Sequence, residues 1–324
     1  MIGAWRLAAC ALVLGGLLAS ARAIGGYPEK PLALVIPFPP GGSTGFTAKV
    51  LAEEMQKIIK QPVTVEPRTG NFGINAIADI VGKTDGYTLM VGSIITNSMT
   101  PMMHRSEIRF DYDQEIIPIT KLAAFPSVVM AAPTMPADSL KDALARLKSS
   151  SGRLRFGTDF PGTYVDVDFI MLGRAADLKV SIRSANGALA ILNDLVEGRI
   201  DLAMLNVATA SANIGKYKPL AVTGTRRLSN FPAVPTMAEA GFPRIGTSNW
   251  QGLFAAHVSS DIAGALHGIA VEAMNSPRAK AEFAGINAEI ITSESSKKFA
   301  AEIRTEMANW EKLVPEVLGL PAEQ

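Results

Sequence analysis

The sequence predicts an α/β protein of two lobes, each an open sheet with helices on both faces, joined by two hinge crossings. Three observations carry this reading. Short apolar, β-rich runs alternate with segments of helical period along most of the chain, the mark of open α/β sheets. A length of 324 residues corresponds to two domains at roughly 150 residues each. Two Pro-marked segments, Phe125-Pro126 and Phe242-Pro243, divide the chain so that it would cross twice between lobes. Lobe 1 is therefore expected at 24–126 plus 244–324, and lobe 2 at 127–243.

Residues 1–23 are set apart from the fold. Arg6 precedes an apolar stretch from Leu7 to Ala19, and Ala21-Arg22-Ala23 is a small-x-small cleavage site, so the segment reads as a secretory signal peptide. Its apolar core falls short of the about 20 residues a membrane span needs. Leu7-Ala8-Ala9-Cys10 looks like a lipidation box, but it lies too near the start for a charged segment and an apolar core to precede it. Removal of the leader takes away Cys10, so the mature chain has no thiol for a disulfide, a metal site or a nucleophile.

The elements follow in order. Leu32 to Phe38 is a short β-rich run ending in Pro-Pro-Gly-Gly, and Thr44 to Ile59 places Phe46, Val50, Leu51, Met55 and Ile58 at helical spacing. Val63 to Val65 and Thr88 to Val91 are strands, with a helix at Asn75 to Val81 between them. Ile116 to Leu122 and Val128 to Ala132 follow as strands, and Asp138-Ser139 caps a helix running through Leu147. Next come strand Arg155 to Thr158, helix Tyr164 to Ala176, strand Lys179 to Ile182, helix Ala188 to Glu197 stopped by Gly198, and strands Ile200 to Leu205 and Leu220 to Thr223. The remainder is mainly helical, at Asp261 to Met274 and Ser295 to Leu318, with strands at Gly252 to Ala255 and Ala288 to Ile291.

Composition excludes several function classes. The chain is 48% hydrophobic and 19% charged with a formal charge of +1, and it has no Lys/Arg runs, so neither nucleic acid nor an anionic membrane is the expected partner. His104, His257 and His267 form no metal-binding pair, and there is no Gly-x-Ser-x-Gly elbow or phosphate-loop Lys. No metal, cofactor or catalytic residue is expected, and an enzyme is the least favoured class.

One loop stands out, Pro37-Phe38-Pro39-Pro40-Gly41-Gly42-Ser43-Thr44-Gly45, set between a strand and a helix. Glycines let the backbone approach a ligand, and the helix beyond offers unpaired N–H groups with a partial positive charge, so an anion can sit there. Ser43 and Thr44 add hydroxyls; alternatively one of them caps its own helix. A second loop, Asp159-Phe160-Pro161-Gly162-Thr163, follows Thr158 in the same way. Two such loops on separate lobes would hold a small ligand from both sides.

These residues also carry a family resemblance. Tyr27-Pro28, the Pro-Phe-Pro-Pro-Gly-Gly-Ser-Thr run, Gln61-Pro62-Val63, Asp85-Gly86-Tyr87-Thr88-Leu89, Gly198-Arg199-Ile200-Asp201, Glu239-Ala240-Gly241-Phe242-Pro243 and Trp250 with Gly252-Leu253-Phe254 occur in order along the chain. Together they resemble the extracytoplasmic solute receptors of tripartite tricarboxylate transporters, the Bug receptors. The resemblance implies a type II periplasmic binding protein that closes like a flytrap around a small carboxylate, is located in the periplasm, acts as a monomer, and hands its ligand to integral membrane permease subunits. It implies that backbone amides of the two loops hold the carboxylate. The candidate ligand set is Phe38, Pro40, Gly41, Gly42, Ser43, Thr44, Gly45, Ser93, Thr158, Asp159, Phe160, Gly162, Thr163, Asn186 and Asn206. A receptor that signals to a membrane sensor is the alternative.

Departures from the family pattern bear on the ligand. Gly45 stands where relatives commonly have an Asp that holds a ligand amine, which disfavours amino acids. Asp159 either repels a second carboxylate or points away as a loop acceptor. Arg183 either replaces a cation lost from Ser184-Ala185-Asn186-Gly187 or is merely solvated, and Phe160 is placed to pack on an apolar body. The expected ligand is an aromatic or hydrophobic monocarboxylate. Trp250, near the second crossing, either reports closure by its fluorescence or is a core aromatic.

Overall fold

The computed structural model describes residues 26–158, 162–185 and 187–318; the expected leader, Asp159, Phe160 and Asn186 lie outside the described residues. The amino-terminal part runs β1 (Leu32–Ile36), α1 (Ser43–Ile59), β2 (Val63–Pro67), α2 (Ile74–Val81), β3 (Thr88–Ser93), α3 (Thr100–Met103), α4 (Tyr112–Glu115) and β4 (Ile116–Phe125). The middle runs β5 (Ser127–Ala131), α5 (Leu140–Ser150), β6 (Arg153–Thr158), α6 (Tyr164–Ala176), β7 (Lys179–Ser184), α7 (Ala188–Val196), β8 (Leu202–Asn206), α8 (Val207–Ala212) and β9 (Lys218–Val222). The last part is β10 (Asn249–Ala256), α9 (Ser260–Met274), α10 (Pro277–Gly285), β11 (Glu289–Ile290) and α11 (Ser296–Leu318).

These strands form two sheets, ordered β11-β4-β10-β3-β1-β2 and β7-β6-β8-β5-β9. In the first, β2, β1 and β3 are parallel and β10 runs antiparallel between β3 and β4. In the second, β7, β6 and β8 are parallel and β5 runs antiparallel between β8 and β9. Each sheet thus takes an inner antiparallel strand from a chain segment that has just arrived from the other sheet. β4 passes through Pro126 directly into β5, and Thr223 N and Oγ1 bond the Ser127 carbonyl and amide, both at 2.8 Å. On the return, Ile245 still packs with the core of the second sheet, and Asn249 opens β10 in the first.

Strands buried on both faces demand continuous apolar runs, and β1 (LALVI) and β5 (SVVMA) supply them. Leu34, Leu51, Leu89, Leu253 and Leu266 fill one side of the first sheet beneath α1 and α9, and Ile77, Met90, Phe254 and Phe299 fill the other beneath α2 and α11. The second sheet is likewise covered on both faces, with Leu144 and Phe169 on one side and Ile191 and Leu195 on the other. Tyr164 and Val167 of α6 join the α11 side of the first core, so the two halves share an apolar seam. α5 starts as its sequence indicates: Ser139 Oγ accepts from Asp142 N at 3.1 Å.

Candidate functional site

β1 has β2 on one side and β3 on the other, so the loop leaving its carboxy end lies at a point where chain connections diverge to opposite sides of the sheet, the usual ligand crevice of such sheets. A β-carbon on Gly41 or Gly42 would meet nothing within 4 Å, so this backbone faces open space. Gly42 is the residue preceding α1, no side chain caps the helix there, and its first turn contains no acid. The amides of that turn are therefore left to a ligand or to water. Ser43 and Thr44 do not cap the helix. Thr44 Oγ1 donates to Gln251 Oε1 at 2.7 Å, and Gln251 Nε2 donates to Ser43 Oγ at 3.3 Å and to Asn249 Oδ1 at 3.1 Å.

On the second sheet, β6 lies between β7 and β8 in the same manner. Its loop leads to α6, where Thr163 makes no cap bond with its side chain. This helix has its own acid in the first turn, Asp166, whose carboxylate accepts from Gly162 N. α7 differs: it follows Gly187 at φ 90°, no side chain caps it, and its first turn holds no acid. Asn206 caps α8, its Oδ1 accepting from Thr209 N at 3.0 Å.

A cleft of about 480 Å³ brings these parts together. Of the sequence-derived candidates, Phe38, Gly41, Gly42, Ser43, Thr44 and Ser93 line it from the first sheet, and Thr163 and Asn206 from the second. Pro40, Gly45, Thr158 and Gly162 do not line it. Gly45 is buried behind the loop, where a β-carbon would stand 2.1 Å from Pro40 O; Thr158 is buried, its carbonyl accepting from Ala185 N at 2.9 Å; Pro40 is exposed to solvent; and Gly162 gives its N–H to Asp166. Sequence reasoning missed Ile95, Ser127, Tyr164, Val165, Gly187, Met204, Leu205 and Asn249, which also line the cleft, and Gln251 just behind it. A Gly directly before a helix signalled α7, whereas Gln251 had no local signal.

Among the described residues the lining carries no charged side chain. The amino ends of α1 and α7, one from each sheet, reach the lining, and the dipole at such ends favours an anion. Arg183 is turned to α7, where its Nε bonds Asp194 at 2.5 Å, and Arg199 bonds the same carboxylate; these guanidinium groups, Arg183 first, hold Asp194 below the usual carboxylate range. At the return crossing, burial pushes the Asp168 carboxyl up to about 6, although Thr247 and Gly246 both hydrogen-bond it.

A model of the tripartite tricarboxylate transporter family receptors matches residues 47–319. The chain belongs to that family. BugT of Bordetella pertussis is 30% identical over 234 residues, which make up 71% of each chain. A solved periplasmic transporter superposes with TM-score 0.78 at 26% identity, covering 92% of this chain and 100% of its own. R. palustris Rpa4515, solved with adipate, shares the fold with TM-score 0.78 at 24% identity, covering 90% of this chain and 98% of its own. The two sheets are thus the two lobes of a periplasmic solute-binding receptor, and the family is one of receptors rather than enzymes.

Proposed function

We propose that this receptor captures a small organic monocarboxylate with an aromatic or hydrophobic body in the cleft and delivers it to the integral membrane permease of a tripartite tricarboxylate-type transporter. The observation that carries the reading is the pair of uncapped, acid-free helix ends, α1 and α7, brought from opposite sheets to one cleft with no charge among its described lining residues. Several modest amide bonds suit an anion that must be released again, and Phe38, Ile95, Val165, Met204 and Leu205 offer an apolar bed for its body. The ligand favours closure only through contacts with both lobes at once. In this reading the leader at 1–23 directs export and the mature receptor acts as a monomer. One lobe is 24–126 plus the chain from Asn249 onward and the other is 127–247; the return between sheets falls at Ser248 rather than at the expected 243/244, because Ile245 packs with the second core and Thr247 is bonded to α6, whereas Asn249 opens β10.

A thermal-shift panel tests it, with benzoate, phenylacetate and hexanoate set against adipate and citrate. Monoacids that raise Tm while citrate does not support the reading. The converse result, or adipate as the best ligand, rejects the monocarboxylate class. Loss of uptake of the stabilising acid on deleting the receptor then tests delivery.

A further inference from the structure

We propose that Gln251 sets the hydrogen-bond polarity of the first-lobe wall, so that this wall presents donors and selects a group that accepts, a carboxylate, over one that donates. The proposal rests on the carboxylate reading above and deepens it. Gln251 is completely buried in β10, opposite Ser93 of β3. Its three contacts have lengths that orient the amide. The 2.7 Å contact with Thr44 Oγ1 has the length of an O–H···O bond and that of 3.1 Å to Asn249 Oδ1 suits an amide N–H, with a longer contact of 3.3 Å from the same nitrogen to Ser43 Oγ.

The consequence follows from counting protons. Thr44 spends its only hydroxyl proton on Oε1. Ser43 receives a proton from Gln251, so its own O–H is left for the cleft, and Asn249, with Oδ1 occupied, turns its NH₂ group there. Asn206 on the opposite wall matches, because Oδ1 is taken by Thr209 N and the NH₂ group remains. An amide rotated the other way would take the Ser43 proton and present lone pairs to the ligand instead. Gln251 touches no ligand in this scheme; it is a positioning residue acting through Ser43 and Asn249.

Neutron diffraction from deuterium-exchanged crystals of the ligand-free mature chain reads the polarity directly. Deuterons on the Gln251 nitrogen facing Ser43 and Asn249, with the Ser43 deuteron directed into the cleft, are expected; Oε1 facing Ser43 overturns the proposal. Calorimetry with benzoate and benzamide reads the consequence. Wild type is expected to prefer benzoate by about tenfold or more, the scale of one charge-assisted hydrogen bond. Gln251→Glu, which accepts from both hydroxyls and turns the Ser43 lone pairs outward, abolishes that preference. Gln251→Met, of similar length with no amide, lowers it and carries the comparison should the Glu variant not fold. A preference unchanged in the variants overturns the proposal while leaving the carboxylate reading standing. Binding of neither compound to wild type counts against the monocarboxylate reading, and the neutron map then decides the polarity alone.

Discussion

Thr247 gives Asp168 two hydrogen bonds, one from its backbone N to Oδ2 at 2.7 Å and one from its hydroxyl to Oδ1 at 3.1 Å. The pair ties α6 of the second lobe to the segment that leads into β10 of the first. The Asp168 carboxyl is buried, and desolvation lifts it from 3.8 to about 6 despite these donors. A folded value above the unfolded one means that the folded state takes up a proton between the two. Its contribution is fully present below about pH 3.8 and is lost as pH rises through about 6. Asp168→Asn keeps an acceptor for Thr247 N but does not titrate. The stability difference between variant and wild type is expected to grow in the variant's favour between those pH values, by on the order of 3 kcal/mol, and then level off. Urea unfolding at a series of pH values checks this; a flat difference would refute it.

Gly45 has a steric reason for its identity. With Pro40 O only 2.1 Å from where a β-carbon would stand, Gly45→Ala must push the loop before α1 away from the helix. The expected outcome is a loss of about 1–3 kcal/mol in stability together with weaker binding of the acid that the thermal-shift panel identifies. Denaturant unfolding and calorimetry measure the two effects. The absence of both would show that the loop relaxes freely.

Neighbouring hydroxyls on α1 are expected to separate in their effects. Ser43→Ala removes a donor to the cleft and is expected to weaken carboxylate binding by about tenfold; Gln251 Nε2 loses only its longer contact of 3.3 Å and keeps Asn249 Oδ1, so the stability cost is expected to be smaller than that of Thr44→Val. Thr44→Val strands the buried Gln251 Oε1 without its donor, at an expected cost of about 1–3 kcal/mol in folding. Equal effects of the two substitutions on stability would contradict the assignment.

Trp250 is a core aromatic, 4% exposed, tilted against Phe254 and edge-on to Phe299, with Nε1 donating to Glu306 Oε2 at 3.0 Å. Trp310 Nε1 also reaches Glu306, at 3.3 Å to Oε1. Glu306→Ala leaves both indole N–H groups without that acceptor. A loss of about 1–3 kcal/mol and a shifted tryptophan emission are expected, read by fluorescence-monitored unfolding. The emission of wild type is expected to follow the seating of α11 and to change little on ligand addition.

Local patterns made much of this legible. The apolar β1 run, the double Gly before α1 and the Ser139 cap of α5 all announce themselves within a few residues. The first sheet's wall of the cleft was therefore readable, and Phe38, Gly41, Gly42, Ser43 and Thr44 all line it. What could not be read depends on contacts made far along the chain. Gln251 meets Ser43 across 208 positions, a pairing set by sheet order rather than by any local pattern. The second lobe was harder because the loop before α6 resembles the loop before α1 in sequence, and only the structure shows that Asp166 already occupies the start of α6 while α7 starts free of acid. Arg183 posed the same difficulty: its partner Asp194 lies eleven positions on, in the next helix.

The placing of β10 between β3 and β4 has a consequence for biogenesis. Strands β5 to β9 come from one uninterrupted stretch ending at Val222, so that sheet can assemble as soon as this stretch has emerged. The sheet begun by the earliest strands must wait for residues 249–256, and until then β3 and β4 each display an unpaired edge. The half of the molecule made first is completed last, and its open edges are where a nascent or newly exported chain most needs protection from its neighbours.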